Sequence, residues 1–69
     1  MLKIYMIDEM DNVKEFNSLE AAKEFVKTEE PVVVNYATFY RAPADLYVTT
    51  KIAAEGSLLG YGYQILDKN

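Results

Sequence analysis

Hydrophobic and polar positions along this chain fall into five alternating runs and one run of helical period. Residues 2–8 alternate: Leu2, Ile4 and Met6 face one way, Lys3, Tyr5 and Ile7 the other. That is the two-residue period of a strand. Asp8, Glu9, Asp11 and Asn12 follow around Met10; Asp and Asn hydrogen-bond their own turns and tolerate left-handed backbone, so the segment reads as a turn. Residues 13–16 alternate again, and two short alternating runs about a turn predict a β-hairpin.

The helical period occupies residues 17–30. Leu19, Ala22, Phe25 and Val26 form one apolar stripe, with Glu20, Lys23, Glu24 and Lys27 on the opposite side. Asn17 is the expected N-cap, with Glu20 completing an Asn-x-x-Glu capping box. Glu20–Lys23 and Glu24–Lys27 are spaced to pair along the helix. Pro31 is the expected stop. Glu29 and Glu30 would then lie at the negative end of the helix dipole, where helix stability gives them no role.

Residues 32–40, rich in β-branched and aromatic side chains, predict a long strand. Residues 41–45 read as a connection, 46–53 as a fourth strand, 55–57 as a turn and 58–66 as a fifth strand. The segment 44–55 carries an alternative. Pro43 and Asp45 suit the start of a helix and Gly56 its end, but Tyr47-Val48-Thr49-Thr50 has poor helix propensity and favours the strand. The expected architecture is β-β-α-β-β-β. It is an α+β two-layer domain over residues 1–69, with an antiparallel sheet of about five strands and one helix on one face.

Composition limits what such a domain can do. Sixty-nine residues make one small domain with a marginal core, and 51% hydrophobic content argues against disorder. Without cysteine, disulfides and thiolate metal sites are excluded, which leaves tight packing or self-association as sources of stability and fits a reducing cytoplasm. The N-terminal run is interrupted by Lys3 and ends in acids, so it reads as a strand and not as a leader. No apolar run reaches membrane-spanning length. Seven basic and eleven acidic residues give a net charge of −4, which disfavours non-specific binding to nucleic acid or anionic membrane.

Candidate chemistry is sparse. The chain has no histidine, cysteine or tryptophan, so the usual general base, the strongest nucleophile and the common transition-metal ligands are missing. Asp8, Glu9 and Asp11 offer oxygen ligands but lack the spacing of a Ca²⁺ loop and read as a solvated turn. No serine or threonine has a recognisable base. Tyr47 and Lys51, on one predicted strand face, come without a Gly-rich cofactor loop. The reading is a non-enzyme with no cofactor and no metal site.

Six tyrosines, five of them in the second half, are the distinctive feature. Gly60-Tyr61-Gly62-Tyr63 places two glycines on one face of the predicted last strand, which suits close approach of another backbone. Tyr61 and Tyr63 would then point outward, beside Tyr47, Thr49, Lys51, Phe39 and Asn35, as an aromatic platform with Arg41 near it. Tyrosine and arginine anchor protein interfaces. The expectation is therefore a small acidic adaptor or inhibitor, in the style of phage or mobile-element inhibitors. It would cover a partner protein, and a basic or nucleic-acid-handling one suits the charge. The partner-binding residues would be Tyr47, Lys51, Tyr61, Tyr63, Phe39 and Arg41. Two alternatives stand beside it. One is a structural homodimer in which the strand at 32–40 pairs at an edge with its twin. The other is single-stranded nucleic acid stacked on the rings, for which Arg41 and Lys51 supply little positive charge.

Overall fold

Leu2–Ile7 forms strand β1, and its alternation buries side chains on both faces: Ile4 and Met6 on one, Tyr5 and Ile7 on the other. A strand buried on both sides sits inside a sheet that is covered twice. In the computed structural model, which describes residues 1–46 and 48–67, β1 is indeed central. It pairs with β2 (Val13–Phe16) through the predicted hairpin and with β3 (Thr38–Pro43) on its other side; β4 (Ser57–Tyr61) pairs with β3. All neighbours are antiparallel, in the order β2-β1-β3-β4. The fold is α+β as expected. Among the described residues the sheet has four strands and not five, and the single helix becomes four short ones.

Helix α1 spans Leu19–Thr28. Its N-cap is Ser18, not Asn17. Ser18 is extended, and its hydroxyl accepts the Ala21 N–H at 3.1 Å. The third helical position is therefore Ala21, so no Asn-x-x-Glu box forms; Glu20 instead lies in the first turn, where the dipole favours a carboxylate. After α1 the residue before Pro31 is extended, as proline requires, and Pro31 opens a second helix, α2 (Pro31–Asn35), at the position where proline's missing N–H costs nothing.

Three predicted strands change accordingly. Residues 32–35 are helical because the core takes Val34 and Ala37, three apart, and leaves Val32 and Val33 outside. The strand begins only at Thr38 and continues through the predicted connection to Pro43. Within 44–55 a helix replaces the predicted strand, but it is the short α3 (Thr49–Glu55), capped at Gly56, and not one opened at Pro43 and Asp45: Pro43 ends β3 and Asp45 lies in the turn after it. The Gly56 N–H donates to the Ile52 carbonyl at 2.7 Å, and a Cβ there would press on that oxygen and on the Cβ atoms of Tyr40 and Ala42. The last predicted strand breaks at Gly62, whose φ of +57° turns the chain into α4 (Gly62–Asp67).

Two cores result. On one face Ile4, Met6, Phe16 and Phe39 meet Ala22 and Val26 of α1, Val34 and Ala37 around α2, and Leu66 of α4. On the other, Tyr5, Ile7 and Ala42 meet Leu46 and Ile52 beneath α3. The Tyr5 hydroxyl donates to the Pro43 carbonyl at 2.9 Å, so a buried polar atom is satisfied. Burial, helped by the nearby Glu15 carboxylate, raises the Tyr5 pKa. The molecule has three layers, helix–sheet–helix, where two were expected.

Candidate binding surface around α2

Most elements of this chain carry charge, but α2 carries none. One side of α2 is anchored by fully buried Val34. Its other sides present Val32, which is 64% exposed, together with Val33 and, at the C-cap, Tyr36. Glycine fixes this ridge in place. At Gly62 a Cβ would lie 2.7 Å from the Val34 carbonyl oxygen and 2.9 Å from Asn35 Cα, and its N–H donates to the Ala37 carbonyl at 3.0 Å. The close backbone approach expected for the Gly60–Tyr63 segment thus occurs at Gly62, against α2.

Clefts flank the ridge. One, of about 280 Å³, lies between α1, α2 and α4 and is lined by Val26, Lys27, Glu29, Pro31, Val34 and Tyr63. The other, of about 250 Å³, separates α2 from the hairpin turn and is lined by Asp8, Glu9, Met10, Val32 and Val33. Met10 projects at the turn, 82% exposed.

The turn that carries Asp8, Glu9 and Met10 is held by its own side chains. Asp8 Oδ1 accepts the backbone N–H groups of Met10 and Asn12, both at 2.9 Å, and Oδ2 accepts the Asn12 amide at 3.2 Å. The Asn12 N–H does most to hold the Asp8 pKa below its ordinary value, with the Asn12 amide and Met10 N–H adding to it and partial desolvation opposing it. Asp8 beside the cleft therefore keeps its charge to lower pH than a free carboxyl would. Among the described residues no group of three or more acidic side chains is arranged to hold a metal ion. The surroundings of α2 are apolar with an acidic margin of Asp8, Glu9, Glu29 and Glu30, against which Lys27 stands as the one cation among the cleft residues.

The aromatic platform expected from the sequence is not assembled. Phe39 is fully buried in the first core, because β3 lies in the interior of the sheet. Tyr63 is on α4, half-buried against that same core, and so is not on the strand face of Tyr61. Tyr61 is exposed on β4 beside Thr38. Lys51 is exposed on α3, and Arg41 is exposed on β3 between Ile4 and Ser57. Tyr47 lies outside the described residues. The structure brings together Met10, Val32, Val33 and the nearby acids, which the sequence reading did not select. Their signal was the Glu-Glu-Pro-Val-Val-Val run, in which the proline starts a helix and does not merely stop one.

Compared with known proteins, the chain matches no family model, no curated protein and no solved structure. No helix among the described residues is long and apolar enough to cross a membrane.

Proposed function

We propose that the chain is a non-catalytic interaction module, a small acidic adaptor or inhibitor that covers the surface of a basic partner protein with α2 and the hairpin turn. The observation that carries this reading is the uncharged, exposed ridge of Val32, Val33 and Tyr36, set with Met10 inside an acidic margin. Exposed apolar clusters with a polar rim mark interaction sites. The carboxylates around it select a basic partner and speed its approach. The two clefts beside α2 are each sized for a partner side chain, not for a large ligand.

The test is capture of a stoichiometric protein from source-cell lysate by the tagged chain after nuclease treatment, compared with the double variant Val32→Glu, Val33→Glu. Both positions are exposed, so the variant keeps its fold by circular dichroism. It should weaken the partner by at least about fivefold, the effect of losing an interface anchor. Added salt should weaken the wild-type complex. Equal capture by the variant and the wild type overturns this surface.

A further inference from the structure

Glu29 stands where helix stability gives a carboxylate no role. It is the C-cap of α1, at the negative end of the helix dipole. Its neighbour Glu30 is better placed, as the N-cap of α2. The fold uses the Glu29 backbone: its N–H donates to the Phe25 carbonyl at 3.0 Å, which also accepts the Thr28 hydroxyl at 3.0 Å. The carbonyls after Phe25 have no partner within the helix. Among the described residues the one ion pair is Lys3–Glu15, so neither Glu29 nor Lys27 is paired.

Glu29 also lines the cleft of about 280 Å³ between α1, α2 and α4. Val26, Pro31 and Val34 give that cleft apolar walls, and Tyr63 adds an aromatic one. An unpaired carboxylate, the negative end of a helix and an aromatic ring all favour a cation, and the apolar walls favour one with a long hydrocarbon stem. Lys27 alone opposes it, from an exposed position on the cleft. Arginine suits these walls better than lysine. Its planar guanidinium stacks on an aromatic face while its N–H fork binds a carboxylate, and it gives up water more readily than an ammonium does.

We infer, resting on the reading of the chain as a module for a basic partner, that this cleft receives an arginine side chain of that partner. The Glu29 carboxylate holds the guanidinium, the Tyr63 ring stacks on it, and Val26, Pro31 and Val34 cover its methylenes. Charge decides the occupant. An acidic side chain would meet Glu29, the α1 dipole and a chain of net charge −4, with Lys27 alone in its favour. An aliphatic side chain would desolvate the Glu29 carboxylate and give it no partner. The cleft and the ridge of Val32 and Val33 share α2, so one partner can cover both.

The test is an NMR titration of the full, isotope-labelled chain with the peptide acetyl-Gly-Arg-Gly-amide. Amide shifts should concentrate at residues 26–34 and Tyr63 and saturate at millimolar peptide. The citrulline peptide, in which a neutral urea replaces the guanidinium, should bind at least about fivefold more weakly. Glu29→Gln should weaken the arginine peptide by at least about threefold, and Lys27→Gln should tighten it by about twofold. Glu30→Gln, the same charge change outside the cleft lining, should weaken it by less than Glu29→Gln does. Tyr63→Leu keeps the apolar packing and should cost at least about twofold, with urea unfolding showing that the fold survives. Absent or scattered shifts overturn the inference, as does equal binding of the arginine and citrulline peptides or indifference to Glu29→Gln. Tighter binding at the same amides by the corresponding leucine or glutamate peptide overturns it in favour of an apolar or an acidic occupant. The titration needs no partner protein. Its failure therefore leaves capture through the α2 ridge standing, and loss of capture leaves the cleft to be read by the peptide.

Discussion

Single residues set the local geometry at the points where the chain changes direction. Gly62 is irreplaceable for two reasons, a left-handed φ of +57° and a backbone oxygen 2.7 Å from where a Cβ would lie. Asp11 takes a φ of +62° within the hairpin turn, a conformation Asp tolerates better than most residues. Asp8 closes that turn through its carboxylate, and its lowered pKa sets the sign of a pH effect. A carboxylate with a depressed folded-state pKa stabilises the fold above its ordinary value of 3.8, and the contribution is lost as pH falls through the folded-state value. Asp8→Ala should cost roughly 0.5–1.5 kcal/mol at neutral pH by urea unfolding. The variant should also lose less stability than wild type when the pH is taken below 3.8. An identical acid dependence in the two proteins would show that the turn carboxylate contributes nothing.

At the level of elements, sequence and structure agree where a local signal and the core demand the same thing. The β1–β2 hairpin and α1 were legible because alternation and the helical stripe of Leu19, Ala22 and Val26 coincide with what is buried. Cap identity was off by one residue, since Asn17 and Ser18 are both good caps and only the backbone decides which is extended. Ser18→Ala should therefore destabilise the protein by about 1 kcal/mol in urea unfolding, and Asn17→Ala should fall within about 0.5 kcal/mol of wild type. A larger cost at Asn17 than at Ser18 would return the cap to Asn17. The valines of α2 and the threonines of α3 have strand propensity, yet both segments are helical. Propensity is worth tenths of a kcal/mol per residue, whereas full burial of Val34 or Ile52 is worth about 2 kcal/mol, so burial wins.

On the scale of the whole molecule, the deciding fact is that β1 is apolar on both faces, so the sheet needs a cover on each. Helix α3, through fully buried Ile52, supplies the second cover together with buried Leu46 from the segment before it, and the Thr49 hydroxyl reaches the Asp11 carbonyl at 3.4 Å. Ile52→Ala should cost about 2–5 kcal/mol, a large share of the stability of so small a domain, and should lower the urea midpoint accordingly. A loss below 1 kcal/mol would mean that α3 does not hold the second core. By itself the sequence determined the α+β class, the hairpin, the main helix and the acidic balance, because these rest on local periodicity and composition. Only the tertiary structure decided that residues 32–35, 49–55 and 62–67 are helical, that Phe39 is core, and that the open surfaces are α2 and β4. Short apolar segments fit a strand or a buried helix equally well in sequence. Which one forms depends on what remains to be covered once the central strands have paired, and that is a property of contacts between residues far apart in the chain.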